Sequence, residues 1–166
     1  MRKLILIPLI LTALLALAAC GGGGSSSSSG GTEGTTTADT PESAWADEVT
    51  EVFSEFENKV SAQLTEEISS ASSPALLKPL YATYSVDLSV LGNKLENTEA
   101  TKACVALREK MVGYVREVAE LTEKLGSSGK YAKLDETAYA VKVAEQGQHI
   151  DKVGRKLGTL TTDPSC

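Results

Sequence analysis

Histidine occurs once in these 166 residues, tryptophan once and phenylalanine twice. One histidine excludes any centre built on several imidazoles, and it leaves the paired Glu-x-x-His motifs of bundle di-iron sites without a second copy. The single His149 follows Gln146, where such a motif needs glutamate. No Gly-x-Ser-x-Gly elbow, phosphate-binding Gly-x-x-x-x-Gly-Lys loop or Cys-x-x-Cys pair occurs. Basic residues are also scarce, 16 against 22 acids, for a net charge of −6. Nucleic acid is therefore not the expected partner, since neutralising phosphates takes clustered Lys and Arg. Period-two alternation, the mark of a half-buried strand, is absent as well. The residues point to a non-enzyme with no cofactor and no metal.

What the chain does have begins at its first residue. Arg2 and Lys3 precede an apolar run from Leu4 to Ala19, broken only by Pro8 and Thr12. Small residues follow, the layout of a secretory signal. The run is 16 residues long, short of the roughly 20 that a membrane-spanning helix needs. The Gly/Ser stretch after it cannot extend it.

The segment Leu17-Ala18-Ala19-Cys20 resembles the lipobox of bacterial lipoproteins, an aliphatic residue and two small ones before a cysteine. The resemblance implies diacylglyceryl transfer to the Cys20 sulfur and cleavage just before Cys20 by the lipoprotein signal peptidase, with fatty acylation of the new terminus. Residues 1–19 are then the signal peptide, recognised through Leu17, Ala18 and Ala19. The membrane becomes a partner through the Cys20 lipid, and the expected location is the cell membrane or cell surface of a bacterium. The mature chain has 147 residues, with 22 acids against 14 bases.

Residues 20–39 read as a flexible tether behind the lipidated cysteine. Seven of the 14 glycines lie between Gly21 and Gly34, mixed with Ser and Thr, and such a segment has nothing to bury. As a flexible coil it reaches about 20–25 Å.

Residues 40–166 read as one all-α domain, an antiparallel up-down-up-down four-helix bundle. Thr40-Pro41-Glu42 opens the first helix with a cap, a proline at the first turn and a carboxylate at the positive end of the dipole. Its stripe is Trp45, Val49, Val52, Phe53, Phe56, Val60, Leu64 and Ile68. A loop is expected over Ser69–Ser73, with Ser73 capping the next helix and Pro79 delaying or kinking its start. Leu77, Tyr81, Tyr84, Leu88, Leu91 and Leu95 form an unbroken heptad seam there. After a turn at Asn97-Thr98, Cys104, Leu107, Met111, Tyr114, Val118, Leu121 and Leu125 continue the 3–4 spacing to Gly126–Gly129. The fourth helix is expected from about Lys130 to Leu157, with Leu134, Ala138, Tyr139, Val141, Val143, Ile150, Val153 and Leu157 facing inward. The five tyrosines, Tyr81, Tyr84, Tyr114, Tyr131 and Tyr139, are expected in the core with their hydroxyls at its edge.

Lipidation uses Cys20 and leaves Cys104 and Cys166. An even pair outside the cytoplasm reads as a disulfide, and the topology brings both thiols to one end of the bundle; two free thiols are the alternative. Glu48, Glu51 and Glu55 share a face of the acidic first helix, which reads as a solvated surface or, less simply, a cation site. Lys152, Arg155 and Lys156 suit the negative end of the last helix dipole, and they also stand at the tether end, where they could face anionic headgroups. His149 reads as a surface residue. The expected function is that of a non-catalytic lipoprotein whose bundle binds a protein partner or has a structural role. The second reading is a sensor or scavenger that holds a small ligand or a cation between its helices.

Overall fold

The computed structural model describes residues 40–162 and Cys166. The segments expected to form the signal peptide, lipobox and tether, residues 1–39, lie outside the described residues, as do the side chains of Leu64 and Ile68. The chain forms α1 (Pro41–Ser70), a 3-10 turn (Pro74–Leu77), α2 (Lys78–Glu96), α3 (Val105–Leu125) and α4 (Glu136–Thr162). It is the all-α, up-down-up-down four-helix bundle expected, with no strand among the described residues.

Local chemistry sets the helix ends. Thr40 caps α1: the Ser43 amide donates to Thr40 Oγ1 at 3.2 Å, and Ser43 Oγ donates to the Thr40 carbonyl at 2.8 Å. Helix α1 runs on to Ser70, so most of the expected loop shrinks to residues 71–73. Ser73 is extended and its side chain caps nothing. Pro74 instead opens the 3-10 turn. Pro79 then occupies the second position of α2, where its missing N–H is harmless. Helix α3 stops at Leu125, its last carbonyls taken up by the Gly126 amide on Thr122 and Glu123.

The start of α4 departs from the sequence expectation by six residues. Residues 130–135 form turns instead, fixed by the Tyr131 amide on the Lys124 carbonyl at 3.0 Å and by the Ala132 amide on Gly129. Asp135 is the true cap, accepting the Ala138 amide on Oδ1 at 2.9 Å. Leu134 and Val141 consequently sit on the surface, 37% and 52% exposed. The buried face of α4 carries Tyr139, Val143, Gly147, Ile150, Val153, Gly154 and Leu157.

The α2 seam is buried throughout, Leu77 to Leu95. Helix α3 buries two stripes. Met111, Val118, Leu121 and Leu125 were expected; Val112, Val115, Ala119 and Thr122 join them because α3 packs on α2 with one flank and on α4 with the other. Leu107 and Tyr114 are half-buried. Packing is closest between α2 and α3, where small residues meet. A methyl on Gly126 would stand 3.1 Å from the Ala82 Cα, and one on Gly92 would touch Val115 at 3.7 Å. Helix α1 packs on α2 through larger side chains. Trp45, Val49 and Val60 are buried, with Val52, Phe53 and Phe56 half-buried. The Phe56 and Tyr84 rings lie 6.1 Å apart. Two ion pairs, Lys59–Asp87 at 3.0 Å and Lys94–Glu55 at 2.5 Å, rim this seam. Exposed pairs of this kind contribute roughly 0–1 kcal/mol each, so apolar burial holds α1 in place.

Candidate functional site

Most of the sequence-derived candidates among the described residues converge on the end of the bundle where α1 begins. It comprises the start of α1, the join from Asn97 to Cys104 and the end of α4. Trp45, on the second turn of α1, is 2% exposed and donates its indole N–H to Thr98 Oγ1 at 3.0 Å. Thr98 passes its own proton to the Leu95 carbonyl at 2.8 Å, and Arg108 from α3 donates to the Thr98 carbonyl at 2.8 Å. One buried threonine thus joins three helices.

Cys104 and Cys166 are disulfide-bonded, with Cα atoms 4.8 Å apart. Cys104 is fully buried at the residue before α3 and accepts the Thr101 hydroxyl on Sγ at 3.3 Å. The bond ties the chain terminus back to the α2–α3 join. Even parity and shared bundle end were the signals that identified this pair.

The charged candidates are largely engaged with neighbours. Lys152, Arg155 and Lys156 are exposed on α4. Arg155 pairs with Asp151, and Lys156 Nζ stands 5.6 Å from the Tyr114 ring centroid. Glu48, Glu51 and Glu55 are likewise exposed. The hydrogen bond from Lys94 holds the Glu55 carboxyl below its ordinary range, and Glu48 accepts the Glu99 amide at 3.4 Å. Among the described residues no group of three or more His, Cys, Asp or Glu is placed to hold a metal ion. His149 is half exposed, its Nε2 3.2 Å from Glu117 Oε1, which links α4 to α3.

The tyrosines depart from expectation at one position. Tyr139 is fully buried, and its hydroxyl donates to the Leu125 carbonyl at 2.7 Å, closing the end of α3. Lys78 Nζ lies 4.5 Å over its ring and donates to the Ala132 carbonyl at 2.6 Å. This far-end network was missed because the fourth helix was placed over residues 130–135, where the chain in fact turns. Burial pushes the Tyr81 phenol up to about 12 and raises those of Tyr84 and Tyr139.

No helix among the described residues is long and apolar enough to cross a membrane. Comparison with protein-family models, with curated proteins and with solved structures finds no match for the chain.

Proposed function

We propose that this chain is a lipid-anchored extracytoplasmic lipoprotein whose helical bundle is non-catalytic and engages a protein partner. One observation carries the reading: Leu17-Ala18-Ala19-Cys20 sits where a processing site belongs, directly behind a basic n-region and an apolar run. The rest of the chain agrees with it. The Gly/Ser-rich stretch after Cys20 spaces the domain from a bilayer. The two remaining cysteines pair, as suits an oxidising compartment. Both the tether and the disulfide meet one end of the bundle, so that end faces the membrane and the far end faces outward. The non-catalytic role rests on the missing motifs and on the single, half-exposed His149, whose neighbour is the Glu117 carboxylate.

The test is Cys20→Ala expressed in the native host. The unaltered protein takes up labelled palmitate and fractionates with membranes. The variant loses the label and accumulates unprocessed or is shed. A variant that is correctly cleaved and still membrane-bound removes the lipoprotein reading. In-cell crosslinking from the outward end then tests for a protein partner.

A further inference from the structure

Helix α2 carries a second stripe at heptad spacing, on the side away from its core seam. Pro79, Thr83, Val86, Val90 and Asn93 follow one another at intervals of 4, 3, 4 and 3. All five are exposed, Val86 at 62% and Val90 at 46%, and none is charged. The stripe stands as a ridge between two hollows. On the α3 flank, Ala82, Ser85 and Ser89 line a hollow of about 550 Å³ that Val86 borders. The Ser85 and Ser89 hydroxyls donate to the Ala82 and Ser85 carbonyls, both at 2.8 Å, so neither offers a donor to the hollow. On the α1 flank, Val90 borders a smaller hollow together with Glu55, Lys59 and Lys94.

The two flanks carry opposite charges, level by level. A methyl on Gly92 would stand 3.6 Å from the Arg116 Cγ, and Gly126 meets Ala82 in the same way, which fixes the register of α3 on α2. Arg116 is thus level with Gly92, and Glu120, one turn further along α3, is level with Leu88. On the α1 flank, Glu55 is held by Lys94 and Lys59 by Asp87. At one level, then, Glu55 stands on one side of the ridge and Arg116 on the other. About a turn away, Lys59 stands opposite Glu120. All four are exposed. Arg116 engages Glu96 and Lys59 engages one oxygen of Asp87. A guanidinium has five N–H donors and an ammonium three, so each can hold a second carboxylate. A two-fold axis parallel to the helices lays the α1 flank of one copy over the α3 flank of the other at the same level. Lys59 then faces Glu120 and Glu55 faces Arg116, each twice. An antiparallel pair instead separates Glu55 from Arg116 by about two turns. The parallel pair also brings Asn93 against its own copy, a seam pairing that sets register in two-stranded coils.

We propose that this face binds a second copy of the chain. Two copies pack α2 beside α2 in parallel, and the Val86–Val90 ridge of each enters the hollow between α2 and α3 of the other. Both copies then begin α1 at the same end. The inference does not rest on the lipid anchor, and its test uses the unlipidated chain.

The experiment is sedimentation equilibrium of the mature chain, residues 20–166 with Cys20→Ser, over concentrations of about 1–500 µM. A monomer–dimer equilibrium is expected, with a dissociation constant on the order of 10–100 µM. Val86→Asp places a carboxylate on the ridge and abolishes association, while circular dichroism shows the fold intact. Lys59→Glu and Glu120→Lys each weaken the dimer about fivefold, and the two together restore it, a rescue that a role within one chain does not produce. Asn93→Cys gives a covalent dimer under mild oxidation, mapped by mass spectrometry to a bond between the two copies of position 93. Ala144→Cys, exposed on α4, does not. In an antiparallel pair the two copies of position 93 lie about 15 Å or more apart and cannot join. A monomer at every concentration, unchanged association in a folded Val86→Asp variant, or a dimer that Asn93→Cys does not crosslink overturns the proposal. If Val86→Asp fails to fold, the absence of rescue in the charge exchange overturns it instead.

Discussion

Breaking the Cys104–Cys166 bond is the perturbation whose size follows most directly from the structure. The bond joins residues 62 positions apart, a span that takes in all of α3 and α4. Cross-linking a loop of that length removes chain entropy from the unfolded state worth about 4 kcal/mol, and measured effects commonly fall between about 2 and 4. For a domain of this size, the melting temperature should drop by roughly 7–15 °C. Cys166→Ser is the right variant. Cys104 is fully buried and accepts the Thr101 hydroxyl, so truncating it would add a cavity penalty to the entropic one. Urea unfolding followed by circular dichroism is the assay, with the unaltered protein under reductant as a second arm. The midpoint should fall, and the slope should steepen because the unlinked unfolded chain exposes more surface. Coincident curves for the variant and the oxidised protein, given no free thiol in the latter, would refute the reasoning.

Five further outcomes can be checked. Gly113 on α3 has nothing within 4 Å of where a methyl would go, so Gly113→Ala should stabilise by about 0.5–1 kcal/mol. Gly129→Ala drives its methyl into the carbonyls of Glu123 and Lys124 and should cost about 1–3 kcal/mol; urea midpoints moving the same way in both variants contradict this packing. Thr98→Val leaves the buried Trp45 N–H without its acceptor and should cost about 1–3 kcal/mol. Trp45 is the only tryptophan, so its fluorescence reads the change directly, and an unaltered midpoint counts against the join. Tyr81 is held protonated up to about 12 in the fold against 10.0 when free. Only the unfolded chain therefore ionises it from pH 10 upward, and stability is full below 10 and falls by about 2–3 kcal/mol on approaching 12. Tyrosinate absorbance from all five tyrosines near pH 10 in an intact fold contradicts that. Finally, changing Lys152, Arg155 and Lys156 to glutamine in the unlipidated mature chain should weaken binding to anionic vesicles at low salt, by about 1 kcal/mol per side chain near the surface. Equal binding leaves these bases to the helix dipole alone.

The parts of the fold legible in the sequence are those where apolar spacing and capping chemistry agree. Thr40-Pro41 and the Gly126–Gly129 stop each combine both signals, and the unbroken α2 heptad was legible without a side-chain cap. Helix α4 failed on both counts. Lys130 to Leu134 has helix-forming composition, but the Tyr131 and Ala132 amides are claimed by turn carbonyls, and the stronger cap lies at Asp135. Its inward face was misread because Leu134 and Val141 are apolar yet exposed, whereas Gly147 and Gly154 are buried and carry no hydrophobic signal. The second stripe of α3 escaped notice because a single heptad seam describes contact with one neighbour, and α3 has two. Of the candidate sites, the cysteine pair was legible from parity and topology. The exposed α2 stripe was not, since its two valines stand among Pro, Thr and Asn and carry little hydrophobic signal. Only the placement of α1 and α3 on either side sets it apart.

The proposed lipidation of Cys20 carries the reading of where this chain works. Mass spectrometry of the protein extracted from host membranes with detergent tests it directly. The account predicts an N-terminal peptide that begins at Cys20 and carries a diacylglyceryl thioether. A mature protein that retains Met1, or that is cleaved at this site with an unmodified Cys20 thiol, contradicts it.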